Sequence, residues 1–195
     1  MALKRLECAK RKARKTTGGM EAYTAKIVEC ERKGYVKKLS ACEAQRHDDR
    51  DWYTPHSCVF NFNKNPPKAR WVLDLAATVQ NQSLNSNLLK GLDIYVSIIA
   101  MICQFREKRV AVTGDIEEMF LRIKLRQEDH KSLRFYWRNG KASDPDVYEF
   151  SSVPFGSKSS PYLAQAVKNF SAMRFKEKYP GRLKLSETII TSMIS

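Results

Sequence analysis

Acidic residues are scarce in this sequence: 21 Asp and Glu stand against 35 Lys and Arg over 195 positions, a net charge of +14 with His neutral. The resulting isoelectric point is about 9.7. A surplus of that size points to a polyanionic partner, nucleic acid before membrane, with a solvated basic surface as the plainer reading. Paired cysteine spacings are missing too. Cys8, Cys30, Cys42, Cys58 and Cys103 are odd in number and form no Cys-x-x-Cys. That argues against a disulfide framework and a zinc site, and suits a reducing compartment. His47, His56 and His130 have no cysteine at metal-ligand spacing and read as surface or structural groups. No apolar stretch of a secretory signal is visible. The longest apolar run, Ile94 to Cys103, covers about half of the ~20 residues that a bilayer span needs, and Gln104 and Arg106 close it. It reads as a buried helix, and an intracellular location, cytoplasmic or nuclear and away from membranes, is expected.

What is present is a mixed order of helical and strand patterns, which predicts an α+β fold. Residues 1–19 form a basic leader (Lys4, Arg5, Lys10, Arg11, Lys12, Arg14, Lys15), expected to be disordered or loosely helical. Residues 20–34 predict a helix with Tyr23, Ile27 and Cys30 on one face and Gly34 as its left-handed stop. From Trp52 to Leu75, two apolar runs joined by Asn63 to Pro67 predict a hairpin-like unit with basic residues at its tip. A polar loop at Gln80 to Asn87 comes next, and then a helix over 94–106 capped by Asp93. Arg109 to Gly114 alternates like a short strand and delivers Asp115 to a helical turn. Strands follow at Leu133 to Arg138 and Val147 to Val153. Ser160-Pro161 opens a helix carrying Leu163, Ala166, Val167, Phe170 and Met173 at helical spacing.

Three segments could carry chemistry. In Val110-Ala-Val-Thr-Gly-Asp115-Ile-Glu-Glu-Met-Phe120, a buried strand would deliver one carboxylate, with an aromatic five residues on. Two-metal nucleotidyl transfer needs such rigid delivery, because its metals sit about 3.5–4 Å apart and hold both reacting oxygens. The competing reading makes Asp115 an N-cap with Glu118 as its capping-box partner. In Val153-Pro-Phe-Gly-Ser-Lys-Ser-Ser-Pro161, Gly156 permits close backbone approach or a positive φ and the helix start at Ser160 could favour phosphate; an ordinary strand-turn-helix junction would look the same. In Lys68-Ala-Arg70-Trp71, the Arg70 guanidinium could fork onto a triphosphate, or simply be a solvated hairpin charge.

Taken in order, Arg70 to Asp74, Asn85 to Leu89 with Lys90-Gly91, Thr113 to Phe120, and Pro154-Phe-Gly156 to Ser160-Pro161 resemble the successive motifs of reverse transcriptases. Asp51-Trp-Tyr-Thr-Pro-His56, Leu133-Arg-Phe-Tyr-Trp137 and Ala164-Gln165 make the likeness greatest to the polyproteins of BEL/Pao-type LTR retrotransposons. It spans about residues 20–180. The resemblance implies a right-hand polymerase of which this chain holds fingers and part of the palm. Residues 20–91 would be fingers and their approach, 92–122 a first palm segment, 123–159 a second fingers segment, and 160–195 a second palm segment. It further implies RNA-directed DNA polymerisation on an RNA template and DNA primer or an RNA–DNA hybrid, with dNTP as substrate and Mg²⁺ as cofactor. Asp115 would be a catalytic metal ligand with the Ile116 carbonyl beside it, and Phe120 the gate under the incoming sugar. Lys68 and Arg70 would clamp the triphosphate, and Phe155 and Gly156 would pack on the nucleotide. Lys158, Ser160 and Pro161 would border the template-primer.

One departure stands out. The family's Tyr-x-Asp-Asp hairpin does not occur in these residues, and after Asp115 the only aspartates are Asp129, Asp144 and Asp146. Glu187 to Met193 is similar to the strand that leads into that hairpin. The expectation is a chain inactive as a polymerase by itself, able at most to bind nucleic acid, and exposing apolar surface around the Asp115 strand and the Ser160 helix to the point of poor solubility or a molten state.

Overall fold

The computed structural model describes residues 1–61, 68–107, 109–110, 113–138 and 144–175, leaving aside the Lys68 side chain. It divides into two compact units: Met1–Leu89 with Phe120–Lys158, and Lys90–Met119 with Ser159–Ser195.

In the first unit, helices α1 (Ala2–Arg14) and α2 (Gly19–Arg32) pack on strands. The leader is therefore an ordered helix. Its pattern is apolar only at narrow intervals, yet Leu6, Lys10 and Ala13 recur every three or four residues and are all buried. Lys10 is buried although it is basic: its ammonium donates to the Arg138 carbonyl at 2.9 Å and lies 5.5 Å from the Trp137 ring centre. Burial holds the Lys10 pKa below its ordinary value. Helix α2 follows its predicted stripe, with Tyr23, Ile27 and Cys30 inside. Gly34 ends it at φ 68°, where the Tyr35 N–H donates back to the Cys30 carbonyl.

Strand β1 (Val36–Lys38) leads to a short helix α3 (Ala41–Gln45), whose Ser40 and Glu43 form a capping box. The predicted hairpin forms from β2 (His56–Asn61) and β3 (Lys68–Leu73), paired antiparallel from His56–Leu73 to Asn61–Lys68. Its tip lies outside the described residues. The polar loop holds a tight Val79–Gln82 turn and a single-turn helix α4 (Leu84–Asn87). In the same unit a 3-10 turn (Gln127–Leu133) precedes β4 (Arg134–Trp137) and β5 (Asp146–Phe150). These make an antiparallel sheet in the order β1-β5-β4. Beyond β5 the pairing continues, as Leu125 N–H donates to Ser151 O and Val153 N–H to Ile123 O.

The core of this unit is aromatic. Trp71, Phe135, Trp137, Tyr148 and Phe150 stack or meet edge to face around His56, which is 4% exposed. The His56 Nε2–H donates to the Tyr136 carbonyl at 2.8 Å, while Nδ1 accepts from the Tyr23 hydroxyl at 2.5 Å and the Trp71 indole at 3.0 Å. Burial lowers its pKa to about 4. His56 is thus a structural histidine, as its sequence context suggests.

The second unit contains α5 (Ile98–Glu107) and α6 (Ser160–Arg174). Helix α5 starts later than predicted. The Asp93 carboxylate accepts instead from the Tyr95 N–H, in a turn ahead of the helix. Nor is it buried: Ile98 and Ile99 are 66% and 72% exposed. An apolar run shows that a helix wants cover but does not supply the covering element. The predicted apolar stripe of α6 is likewise outward at Val167, Phe170 and Met173. The helix ends at Arg174 rather than near Pro180, and residues 176–195, with the strand-like Glu187 to Met193, lie outside the described residues. The α+β expectation therefore holds, with antiparallel sheets. Among the described residues no helix is long and apolar enough to cross a membrane.

Candidate functional site

The candidate residues divide between the two units. In the first, four distant segments meet. Pairing of 123–125 with 151–153 brings the residues that precede one strand beside those that follow the other. Phe120 and Phe155 accordingly lie edge to face, 5.4 Å between ring centres, and Phe155 is 65% exposed. Gly156 adopts φ 95°, and a Cβ there would come 3.4 Å from the Leu73 carbonyl at the end of β3. Positive φ, one of the two readings of this glycine, is what the fold uses.

The fourth segment enters through Asn85. Its Nδ2 donates to the Gly156 carbonyl at 3.2 Å, and its Oδ1 accepts from the Lys158 N–H at 2.9 Å. Its own backbone N–H donates to Leu75 O, so the loop is pinned to the end of β3. One amide thereby holds both sides of the Phe155–Lys158 turn as a strand partner would. Sequence reasoning placed Asn85 in a matching loop but assigned it no role; the only signal was an Asn within a Ser-Leu-Asn-Ser run, which reads as turn chemistry.

On β3, Arg70 pairs across from Val59 and is exposed, on the face opposite Trp71 and Leu73. Lys68 opens the same strand, and its side chain is outside the described residues. Asp74, just past the strand, takes an ion pair from Arg5 of α1 at 2.7 Å. The Asp51-to-His56 segment is built into the sheet edge. Tyr53 stacks on Tyr136 at 4.6 Å, and Asp51 meets Arg134 at 3.0 Å with both side chains 8% exposed.

In the second unit, Asp115 is exposed in a stretch without regular structure, and Ile116 is 36% exposed. The middle of the strand predicted over 109–114 lies outside the described residues. A turn at 117–122 follows, but it is not the helical turn expected, since Glu118 has φ 54°. The third residue of a capping box sits in helical backbone, so the cap reading of Asp115 and Glu118 is not the one built here. Ser160 and Pro161 form the first turn of α6, with Ser160 2% exposed.

Among the described residues no three His, Cys, Asp or Glu side chains are grouped to hold a metal ion. Mg²⁺ is held octahedrally and by carboxylates, and Asp115 with the Ile116 carbonyl does not make up such a site. No protein-family model matches the chain, and no curated protein is detectably similar to it.

Proposed function

We propose that this chain is the fingers and part of the palm of a retroelement-type reverse transcriptase, and that what residues 1–195 do by themselves is bind nucleic acid, not extend it. The observation that carries the reading is the convergence at Phe155. The end of β3, Asn85, Phe120 and Phe155 to Lys158 belong to four separate stretches that follow the motif order of such polymerases, and they meet in one turn. The turn offers an exposed ring, a backbone without side-chain cover at Gly156, and the Lys158 cation beside it. A base or sugar can pack on the ring while phosphate meets the cations, and each stacked base contributes about 1–3 kcal/mol. The net charge of +14 suits the same partner. RNA–DNA hybrid is the favoured ligand and dNTP the family substrate. Asp115 and Ile116 would supply one side of a metal pair, and no catalytic step is assigned to them.

Two measurements test this. Hybrid binding should be measurable at low salt and weaken steeply as salt rises. Phe155→Ala should lower the affinity about fivefold or more while leaving the melting temperature unchanged, because the ring is mostly exposed. Primer extension with Mg²⁺ should give no product. Incorporation abolished by Asp115→Ala would overturn the inactivity, and absence of any hybrid binding at low salt would overturn the function.

A further inference from the structure

Helix α1 and its C-cap Lys15 hold seven Lys and Arg and one acidic residue, Glu7. Its two halves are sharply different. Leu6, Lys10 and Ala13 face the core, whereas Lys4, Arg5, Arg11, Lys12, Arg14 and Lys15 are exposed. The spacing of Lys4, Arg11 and Lys15 places them in one stripe on the side away from Leu6 and Ala13. Arg5 is engaged by Asp74, and Glu7 is drawn aside by Arg138 at 3.4 Å. No carboxylate among the described residues pairs with Lys4, Arg11, Lys12 or Lys15. The helix is also fixed, since Lys10 is bonded to the Arg138 carbonyl and the Arg5–Asp74 pair ties it to the end of β3.

We propose that the outward half of α1 is a phosphate-binding surface that grips a nucleic-acid backbone. It adds a second contact to the Phe155 turn and rests on the reading that the chain binds nucleic acid. A thirteen-residue helix is about 20 Å long, and duplex presents a phosphate charge every ~1.7 Å of axis, so several cations engage at once. An anionic membrane is the weaker match. A helix that lies on a membrane inserts its apolar face, and here that face is already spent on the core.

The test compares binding of a labelled RNA–DNA hybrid by the full chain and two variants of equal net charge. One carries Lys4→Gln, Arg11→Gln, Lys12→Gln and Lys15→Gln; the other carries Lys37→Gln, Lys38→Gln, Arg50→Gln and Arg126→Gln, cations that pair with carboxylates elsewhere on the same unit. The α1 variant should lose about tenfold or more in affinity, and its salt dependence should become shallower by about three counterions. The control should change far less. Cys8, exposed on the basic side of α1, supplies a readout without substitution: bound hybrid should slow its alkylation, while exposed Cys42 stays reactive. Equal losses in both variants, or unprotected Cys8 in a saturated complex, would overturn the proposal while leaving the Phe155 site standing. So would loss of binding only to vesicles containing phosphatidylserine. If the unsubstituted chain binds no nucleic acid, both readings fall.

Discussion

His56 and Gly156 show how single residues carry unequal kinds of constraint. His56 is neutral because burial makes its charged form costly, and its two ring nitrogens are already committed to Tyr136, Tyr23 and Trp71. Its folded-state pKa of about 4 lies below the ordinary 6.5, so the unfolded chain takes up the proton first. Stability should therefore hold above pH 6.5 and fall between 6.5 and about 4, by roughly 3 kcal/mol for this group. Denaturant melts across that range check it; His56→Gln should flatten the slope there, and an unchanged slope would refute the assignment. At Gly156 the constraint is steric. Gly156→Ala puts a side chain at φ 95° with the Leu73 carbonyl 3.4 Å away. It should destabilise the first unit by about 1–3 kcal/mol and weaken hybrid binding further by displacing the Phe155 ring, as melting curves and titrations would show.

At the level of elements, legibility followed from whether a segment's partner lies in its own pattern. Helix α2, the β2–β3 hairpin, β4, β5 and the Pro161 start of α6 were readable because alternation, helical spacing and turn residues are local signals. Helix α1 was not, because its buried stripe includes Lys10, and a lysine enters a core only when a carbonyl such as that of Arg138 is waiting 128 residues away. Helix α5 failed in the opposite sense: its apolar run is local, but its cover is not. The site divides the same way. Phe120, Phe155 and Gly156 could be named from motif order, whereas the Asn85 clamp depends on two backbone groups more than 70 residues away. The outward Ile98, Ile99 and Ile102 carry a further prediction. Amide hydrogens of α5 should exchange much faster than those of β4 and β5, since uncovered helices open locally at little cost. Comparable protection in α5 and the sheet would show that something covers it.

The molecule as a whole is two bodies of different finish. The first has a stacked aromatic core around His56, whose two ring nitrogens are both hydrogen-bonded; the second presents Val167, Phe170 and Met173 as well as the α5 isoleucines to solvent. The exposed apolar surface predicts that molten behaviour is confined to the second unit. Heating should give one cooperative transition from the tryptophans of the first unit, while a hydrophobic dye binds already at room temperature.

Because β1 pairs with β5 and Lys10 with Arg138, the first unit cannot close until its far end exists. At a synthesis rate of ~5–20 residues per second, the nascent segment carrying Tyr23, Ile27 and Val36 waits roughly 6–25 seconds for the strand that will cover it. Completion of this core is thus timed by the ribosome, and the interval is a window for chaperone capture or misassociation.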